Sequence, residues 1–245
     1  MRYLALVFIF LFFTACSLKK PISAKEGISD LLTLSQNSST YLKEKSINGI
    51  DANEDSYEKK YFRVWNEIPD DTKDESMWPF VSYTNSEMYG ENLQPIKEDA
   101  FKKLEDNANF GEYKSINKTA ITLNHLDIRA FPTSKPMFKD PNIAGEGFPF
   151  DYVQNSTVSA NKPVLISHYS KDEEWAFIFS SFTSGWVKSK DIITIDKKYT
   201  DAWQKAKQVF LLKDNIPMYD EKGNFLFRSR VGMMLALIEE DKDNY

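Results

Sequence analysis

The side chains that most often carry catalysis or bind metals are scarce in this sequence. Cys16 is the only cysteine among 245 residues, and the only histidines are His125 and His168. Both histidines lie in apolar, strand-like stretches, where a hydrogen-bonded histidine at a strand edge is commoner than a metal ligand. A two-histidine metal site would need carboxylate partners that the sequence does not reveal. We therefore expect no catalytic residue, no metal site and no cofactor in this chain.

Cys16 itself has the surroundings of a lipid-attachment site. The charged start of the chain leads into an apolar run at residues 4–13, and Thr14 and Ala15 are small residues directly before the cysteine. The run is too short to cross a bilayer, which takes roughly 20 residues, but it fits a signal peptide. The segment resembles the lipobox of bacterial lipoproteins, in which the cysteine is acylated. An ordinary signal peptide cut near Ala15 is the alternative.

The residue after the cysteine bears on where such a protein is delivered. In two-membrane bacteria an Asp at that position usually retains a lipoprotein in the inner membrane, whereas this chain has Ser17. We therefore expect a lipid-anchored protein of the cell envelope, facing the periplasm, with the outer membrane favoured. The net charge of −5 and the isoelectric point near 5.3 are not those of a nucleic-acid-binding protein, so no nucleic-acid partner is expected.

The predicted secondary structure, which would position any binding residue, changes from helices to strands near Lys118. Residues 57–68 have apolar side chains at helical spacing, and a second helix is predicted from Gln94 onwards. After Lys118, short apolar segments alternate with turns rich in Pro, Asp, Asn and Ser, which is typical of strands. The predicted strands are residues 120–123, 128–131, 164–169, 175–179, 185–188 and 192–195.

These patterns predict a mainly β protein with a helical N-terminal segment (α+β). Five or six strands in so short a stretch favour a small β-barrel, and the high content of Phe, Tyr and Trp supports this. After a helical connector at residues 201–208, four more strands are predicted at residues 209–212, 217–219, 225–227 and 233–238. They are too few to close a second barrel, which we expect to be incomplete.

Several short motifs of the first barrel occur in a characteristic order. They are Arg129 with Pro132-Thr133, Phe150-Asp151-Tyr152 with Gln154-Asn155, Trp175, and the strand Gly185-Trp186-Val187. Together they resemble the first bacterial SH3-type domain of NlpC-type cell-wall peptidases. Trp65 and residues 89–110 resemble the helical stabilising segment before that domain, and residues 209–238 resemble the opening of the second SH3-type domain.

The resemblance divides the chain into five parts. These are a lipoprotein signal peptide (1–16), a flexible tether (17–54), a helical stabilising segment (55–117), a first SH3-type domain (118–198) and an incomplete second one (199–245). The family's peptidase domain uses a cysteine nucleophile and a histidine base, and this chain has neither a spare cysteine nor a stretch to form that domain. The resemblance thus implies peptidoglycan biology without catalysis by this chain.

Two hypotheses of function follow from the resemblance. The first is a non-catalytic envelope lipoprotein whose SH3-type domain engages peptidoglycan stem peptides or a partner protein. The alternative is a truncated N-terminal part of a cysteine endopeptidase that cuts D-γ-glutamyl–diamino acid bonds. A plain structural lipoprotein of the envelope is a weaker third reading.

Three residues are candidates for binding a peptide. The resemblance places Asp151 and Tyr152 at the substrate entrance, where a carboxylate beside an aromatic ring suits the free amine of a stem peptide. The alternative is a structural corner in which Asp151 accepts hydrogen bonds from backbone N–H groups. Arg129 is predicted either to pair with Asp151 or to bind a carboxylate of the peptide.

Overall fold

The computed structural model describes residues 33–35, 37–41 and 54–237. The predicted signal peptide with Cys16 and most of the predicted tether lie outside the described residues. The chain divides into two compact units, Met1–Ala52 and Asn53–Tyr245. In the first unit, helix α1 (Ser38–Tyr41) begins after Asn37, whose side chain accepts a hydrogen bond from the Ser39 backbone N–H. Within the described ranges, no helix is long and apolar enough to cross a membrane.

The second unit opens with short helices, which are α2 (Glu54–Tyr61), α3 (Arg63–Asn66), α4 (Lys73–Ser76), α5 (Trp78–Thr84) and α6 (Glu98–Ala108). Acidic residues in the first turn of α6 suit the positive end of its dipole, and Asn109 ends it in the left-handed conformation. Phe101 is the buried anchor of α6, with Leu104 packed beside it. A one-turn 3₁₀-helix, Phe110–Glu112, follows.

An antiparallel sheet forms the centre of this unit and confirms the predicted fold class. Its strand order is β3-β2-β6-β5-β4-β1-β7, and every pairing is antiparallel. Each strand predicted between residues 118 and 198 is present, and β3 is an addition. The strands are β1 (Lys118–Thr122), β2 (Leu126–Arg129), β3 (Gln154–Val158), β4 (Pro163–Tyr169), β5 (Trp175–Phe179), β6 (Ser184–Lys188) and β7 (Ile192–Thr194).

Both faces of the sheet are covered, as the central strand β5 shows. All five of its residues are buried, because alternate side chains point to opposite faces. Trp175, Phe177 and Phe179 join the cluster that contains the buried helix residues Phe101 and Phe110. Ala176 and Ile178 belong to a second buried cluster, which lies on the opposite face of β5. The helical segment is therefore part of the core and not a separate layer.

The C-terminal part is formed by one helix and two strand pairs. A 3₁₀-helix, Ser189–Asp191, precedes β7, and helix α7 (Lys197–Lys205) follows it. The side chain of Asp196 caps α7 by accepting from the Tyr199 backbone N–H. The strands are β8 (Gln208–Phe210), β9 (Pro217–Tyr219), β10 (Phe225–Arg228) and β11 (Met234–Ala236). In the described part of the chain they form two separate ribbons, β9–β10 and β8–β11.

Candidate functional site

Arg129 lies at the end of β2, where a shift of register turns its side chain into the protein. Only 6% of the side chain is exposed. Its guanidinium donates to the carbonyl oxygens of Thr133 (3.1 Å) and Lys135 (2.9 Å), and to the side chains of Gln154 (3.0 Å) and Asp151. A single buried cation thus ties the loop after β2 to the loop before β3.

Asp151 uses both carboxylate oxygens within the protein. Its Oδ1 accepts from the backbone N–H groups of Met137 (3.0 Å) and Val153 (3.1 Å), and its Oδ2 accepts from Arg129. One-fifth of the side chain is exposed. The structure therefore brings two of the predicted site residues together, in the contacts of a structural corner. Binding of a ligand by Asp151 or Arg129 stays a prediction.

Tyr152, the third predicted residue, has different neighbours. Its hydroxyl donates to the Glu146 carboxylate at 2.5 Å, and the Lys139 ammonium lies 4.6 Å from the centre of its ring. The hydrogen bond to Glu146 is the main reason that the pKa of Tyr152 is raised. The Tyr83 hydroxyl donates to the Tyr152 carbonyl at 3.0 Å and fixes the backbone. The Tyr152 side chain thus contacts a carboxylate through its hydroxyl and an ammonium group through the face of its ring.

Glu146 and Lys139 were missed by the sequence analysis, although the glycines beside Glu146 are a usable signal. Gly145 and Gly147 both have positive φ angles, of 87° and 76°. A Cβ atom at Gly147 would also lie 2.9 Å from the Cα of Pro141, so a larger residue would displace the loop. These two glycines allow the tight turns that carry Glu146 back to Tyr152.

A groove of about 530 Å³ opens beside this cluster, and we call it the amine groove. It is lined by Gly145, Pro149, Phe150, Asp151, Tyr152 and Gln154. Phe150 lines the groove and is 54% exposed, so one apolar ring is open to solvent there. Exposed rings beside carboxylates suit a ligand that has both apolar and cationic parts.

Among the described residues, no group of three or more His, Cys, Asp or Glu side chains could hold a metal ion. Both histidines have hydrogen-bond partners in the protein. His168 lies in the core with Nε2 3.1 Å from the Ala108 carbonyl, and His125 lies with Nε2 2.6 Å from the Arg228 carbonyl.

Comparison with known families matches three consecutive parts of the chain. Residues 5–113 match the N-terminal stabilising domain of NLPC_P60, residues 136–188 match the SH3 domain of SH3b1 type, and residues 196–242 match the SH3 domain of SH3b2 type. The amine groove lies within the SH3b1 match. No curated protein matches the chain.

A solved structure has the same fold. It is described as a novel NlpC/P60 endopeptidase from Photobacterium damselae subsp. piscicida, and it superposes with a TM-score of 0.64 at 23% sequence identity. The match covers 77% of this chain but 45% of the endopeptidase, so this chain spans less than half of that protein's length. The chain therefore has the N-terminal architecture of the NlpC/P60 proteins: a stabilising domain, an SH3b1-type domain and an SH3b2-type domain.

Proposed function

We propose that this chain is a non-catalytic envelope lipoprotein whose SH3b1-type domain binds the free amine of a peptidoglycan stem peptide in the amine groove. The observation that supports this most is the position of Lys139. Its ammonium lies over the Tyr152 ring, while the Tyr152 hydroxyl is bound to the Glu146 carboxylate. This contact supports the proposal, because an ammonium group of the protein already lies against the ring that would receive the peptide amine.

A peptide amine can replace Lys139 because the lysine is exposed and its four-carbon stem is flexible. Glu146 then supplies a carboxylate that has capacity for a further donor, whereas Asp151 is already bound to Arg129 and two backbone N–H groups. A ring–cation contact at an exposed site contributes about 0.5–1 kcal/mol, and an exposed ion pair adds about 0–1 kcal/mol. Binding is therefore expected to be weak, because these two contacts total about 2 kcal/mol at most, whereas a dissociation constant of 1 mM corresponds to about 4.1 kcal/mol.

The test is an NMR titration of the chain with the stem tripeptide L-alanyl-γ-D-glutamyl-diaminopimelate. Amide shifts are expected to cluster at residues 145–154. Acetylation of both free amines, that of the alanine and the second amine of the diaminopimelate, should abolish them because it removes the positive charges. Tyr152→Leu should weaken binding about two- to fivefold, which is the value of a surface ring–cation contact. Lys139→Gln should tighten binding because it removes the competing ammonium, whereas Lys190→Gln, another exposed lysine, should have no effect.

Two results would contradict the proposal. If the acetylated peptide binds as well as the free one, the amine is not what the groove recognises. If Lys139→Gln weakens binding, the lysine is a ligand contact and not a stand-in for the peptide amine.

A second candidate function is supported by the length of the solved relative. We propose as the alternative that the chain is the N-terminal part of a cysteine endopeptidase, because it spans less than half of an NlpC/P60 endopeptidase of the same fold. The DNA downstream of the Tyr245 codon decides between the two. A continuing reading frame that encodes a cysteine and two histidines would favour the endopeptidase, and a stop codon followed by unrelated sequence would favour the lipoprotein.

A further inference from the structure

A second groove lies between helix α6 and the loop after β2, and we call it the helix groove. Its volume is about 560 Å³, within the range of small-molecule and peptide sites. Its lining includes Ile96, Ala100 and Leu104 from the helical segment, and Thr133, Lys135 and Met137 from the loop after β2. One wall thus belongs to the helical segment and the other to the SH3-type domain.

Both walls are fixed without a ligand. On one side, Arg129 holds the carbonyl oxygens of Thr133 and Lys135, and Asp151 holds the backbone N–H of Met137. On the other side, the Ile96 backbone N–H donates to the carbonyl of Met88 at 2.7 Å, at the approach to α6. A ligand would therefore find the groove already formed, which lowers the entropy cost of binding.

The floor of the groove is aliphatic, with Ile96, Ala100, Leu104, Pro136 and Met137. None of the described residues that line it has an aromatic ring, so it offers no stacking surface for a sugar or a nucleobase. Aliphatic walls of this kind suit a branched or linear hydrocarbon side chain.

The rim of the groove is polar and carries an excess of positive charge. Lys103 and Lys135 line it, against one carboxylate from Glu91. In the described part of the chain Lys135 has no ion pair, and Lys103 has only an exposed contact of 3.3 Å with Asp99. An exposed contact of that kind contributes little, so both ammonium groups are available to an anion.

The rim also has hydrogen-bond donors that an acyl chain could not use. Asn92 accepts from the Gln94 backbone N–H, and its own NH₂ group has no partner among the described residues. Thr133 accepts from the Lys135 backbone N–H, which leaves its hydroxyl hydrogen free to donate. A peptide backbone offers carbonyl oxygens to such donors, whereas a fatty acid offers none along its chain.

We propose that the helix groove binds a short peptide that ends in an aliphatic residue with a free carboxylate. The aliphatic side chain lies on the floor against Leu104 and Met137. The carboxylate lies at the rim and pairs with Lys135 and Lys103, and the Asn92 amide donates to a peptide carbonyl. The ligand of the helix groove must have a negative charge and an aliphatic group, whereas the ligand of the amine groove must have a positive charge. The two grooves therefore bind different ligands, or opposite ends of one peptide.

The test is a methyl NMR titration of the full chain with N-acetyl-L-alanyl-L-leucine. Acetylation prevents the probe from using the amine groove, so success or failure here is independent of the proposed function. Shifts are expected at the methyl groups of Ile96, Leu104 and Met137. The matched carboxamide, N-acetyl-L-alanyl-L-leucinamide, should bind about threefold to tenfold more weakly because it loses the contacts of its charge with two surface cations.

Two lysine variants on helix α6 distinguish a specific contact at the rim from a general effect of surface charge. Lys103→Gln should weaken binding about two- to fivefold, whereas Lys102→Gln should not, because Lys102 is the exposed neighbour that does not line the groove. Lys135→Gln should act like Lys103→Gln. Ala100→Leu fills the floor without changing any charge and should abolish the shifts, with unchanged amide spectra elsewhere showing that the chain is folded.

Three outcomes would overturn the proposal. They are shifts that map away from the three methyl groups, equal affinity for the acid and the carboxamide, and tighter binding of octanoate than of the dipeptide. The last result would make the groove a fatty-acid site.

Discussion

The stability of this protein should fall between neutral and mildly acidic pH because of His168. This side chain is fully buried, against the rings of Phe177 and Trp186. Its Nε2 lies 3.1 Å from the Ala108 carbonyl and its Nδ1 lies 3.0 Å from the Ser167 hydroxyl, an arrangement that fits the neutral ring. Burial lowers the pKa of His168 to about 4, although the hydrogen bond to Ala108 acts to raise it and Lys73 lowers it further.

The sign and size of the effect follow from this pKa. An unfolded histidine titrates near 6.5, so protons bind the unfolded chain first as the pH falls. The stabilisation is complete above about pH 6.5 and is lost progressively as the pH falls towards 4. Between about pH 7.5 and about pH 5.5, the free energy of unfolding should fall by about 1.3 kcal/mol from this group.

Urea unfolding followed by tryptophan fluorescence measures this difference directly. His168→Gln keeps a donor for Ala108 but cannot be protonated, so its stability should be nearly constant over the same window. His125→Gln is the matched control, because it replaces the exposed histidine and should keep the full pH dependence. The reasoning is refuted if the wild-type stability changes by less than about 0.3 kcal/mol, or if the dependence disappears with His125 and not with His168.

Two further predictions concern the buried arginine and the lipid anchor. Arg129→Met should destabilise the chain by about 3–5 kcal/mol, because it removes the cation that pairs with Asp151 and leaves the Asp151 Oδ2 and two carbonyl oxygens without a donor. Thermal unfolding measures this, and a loss no larger than that of the exposed Arg228→Met would contradict it. Cys16→Ala should leave a precursor that is not processed and takes up no labelled palmitate, whereas normal processing of this variant would show that Cys16 is not acylated.

The strands of the first domain could be predicted because their apolar residues form short runs between turns. The prediction for β5 matches its bounds, since all five residues are apolar and buried. Strand β3 was missed because its sequence, Gln-Asn-Ser-Thr-Val, is polar up to Val158. It lies at an edge of the sheet, where one side pairs with β2 and little burial is required.

The helices were predicted less well because packing decides where they break. The single helix predicted at residues 57–68 is two helices, α2 and α3, which are separated at Phe62. The backbone of Phe62 is not helical, and its ring is buried against Trp65 and Trp203. Trp203 is distant in sequence, so the periodicity of residues 57–68 does not reveal this contact. Helix α5 was missed because its residues, rich in aromatic and β-branched side chains, resemble a strand.

In the candidate site too, residues in short motifs could be predicted, but contacts between residues on different loops could not. Arg129 and Asp151 were identified from short motifs, and their pairing was one of two alternatives. Which alternative the protein adopts depends on burial, since an arginine with 6% exposure must find acceptors inside the protein. Glu146 and Lys139 reach Tyr152 through loop turns, so no spacing rule of a helix or a strand would have joined them.

The amine groove and the helix groove share a support. Arg129 donates to Asp151, which lines the amine groove, and to the carbonyl of Lys135, which lines the helix groove. Asp151 in turn holds the backbone N–H of Met137 in the helix groove. Loss of Arg129 should therefore weaken binding in both grooves, whereas Tyr152→Leu and Lys103→Gln should each affect one. Replacing both partners of a buried ion pair by apolar residues often leaves stability unchanged, so the geometry that Arg129 and Asp151 fix on either side is a separate reason for the pair.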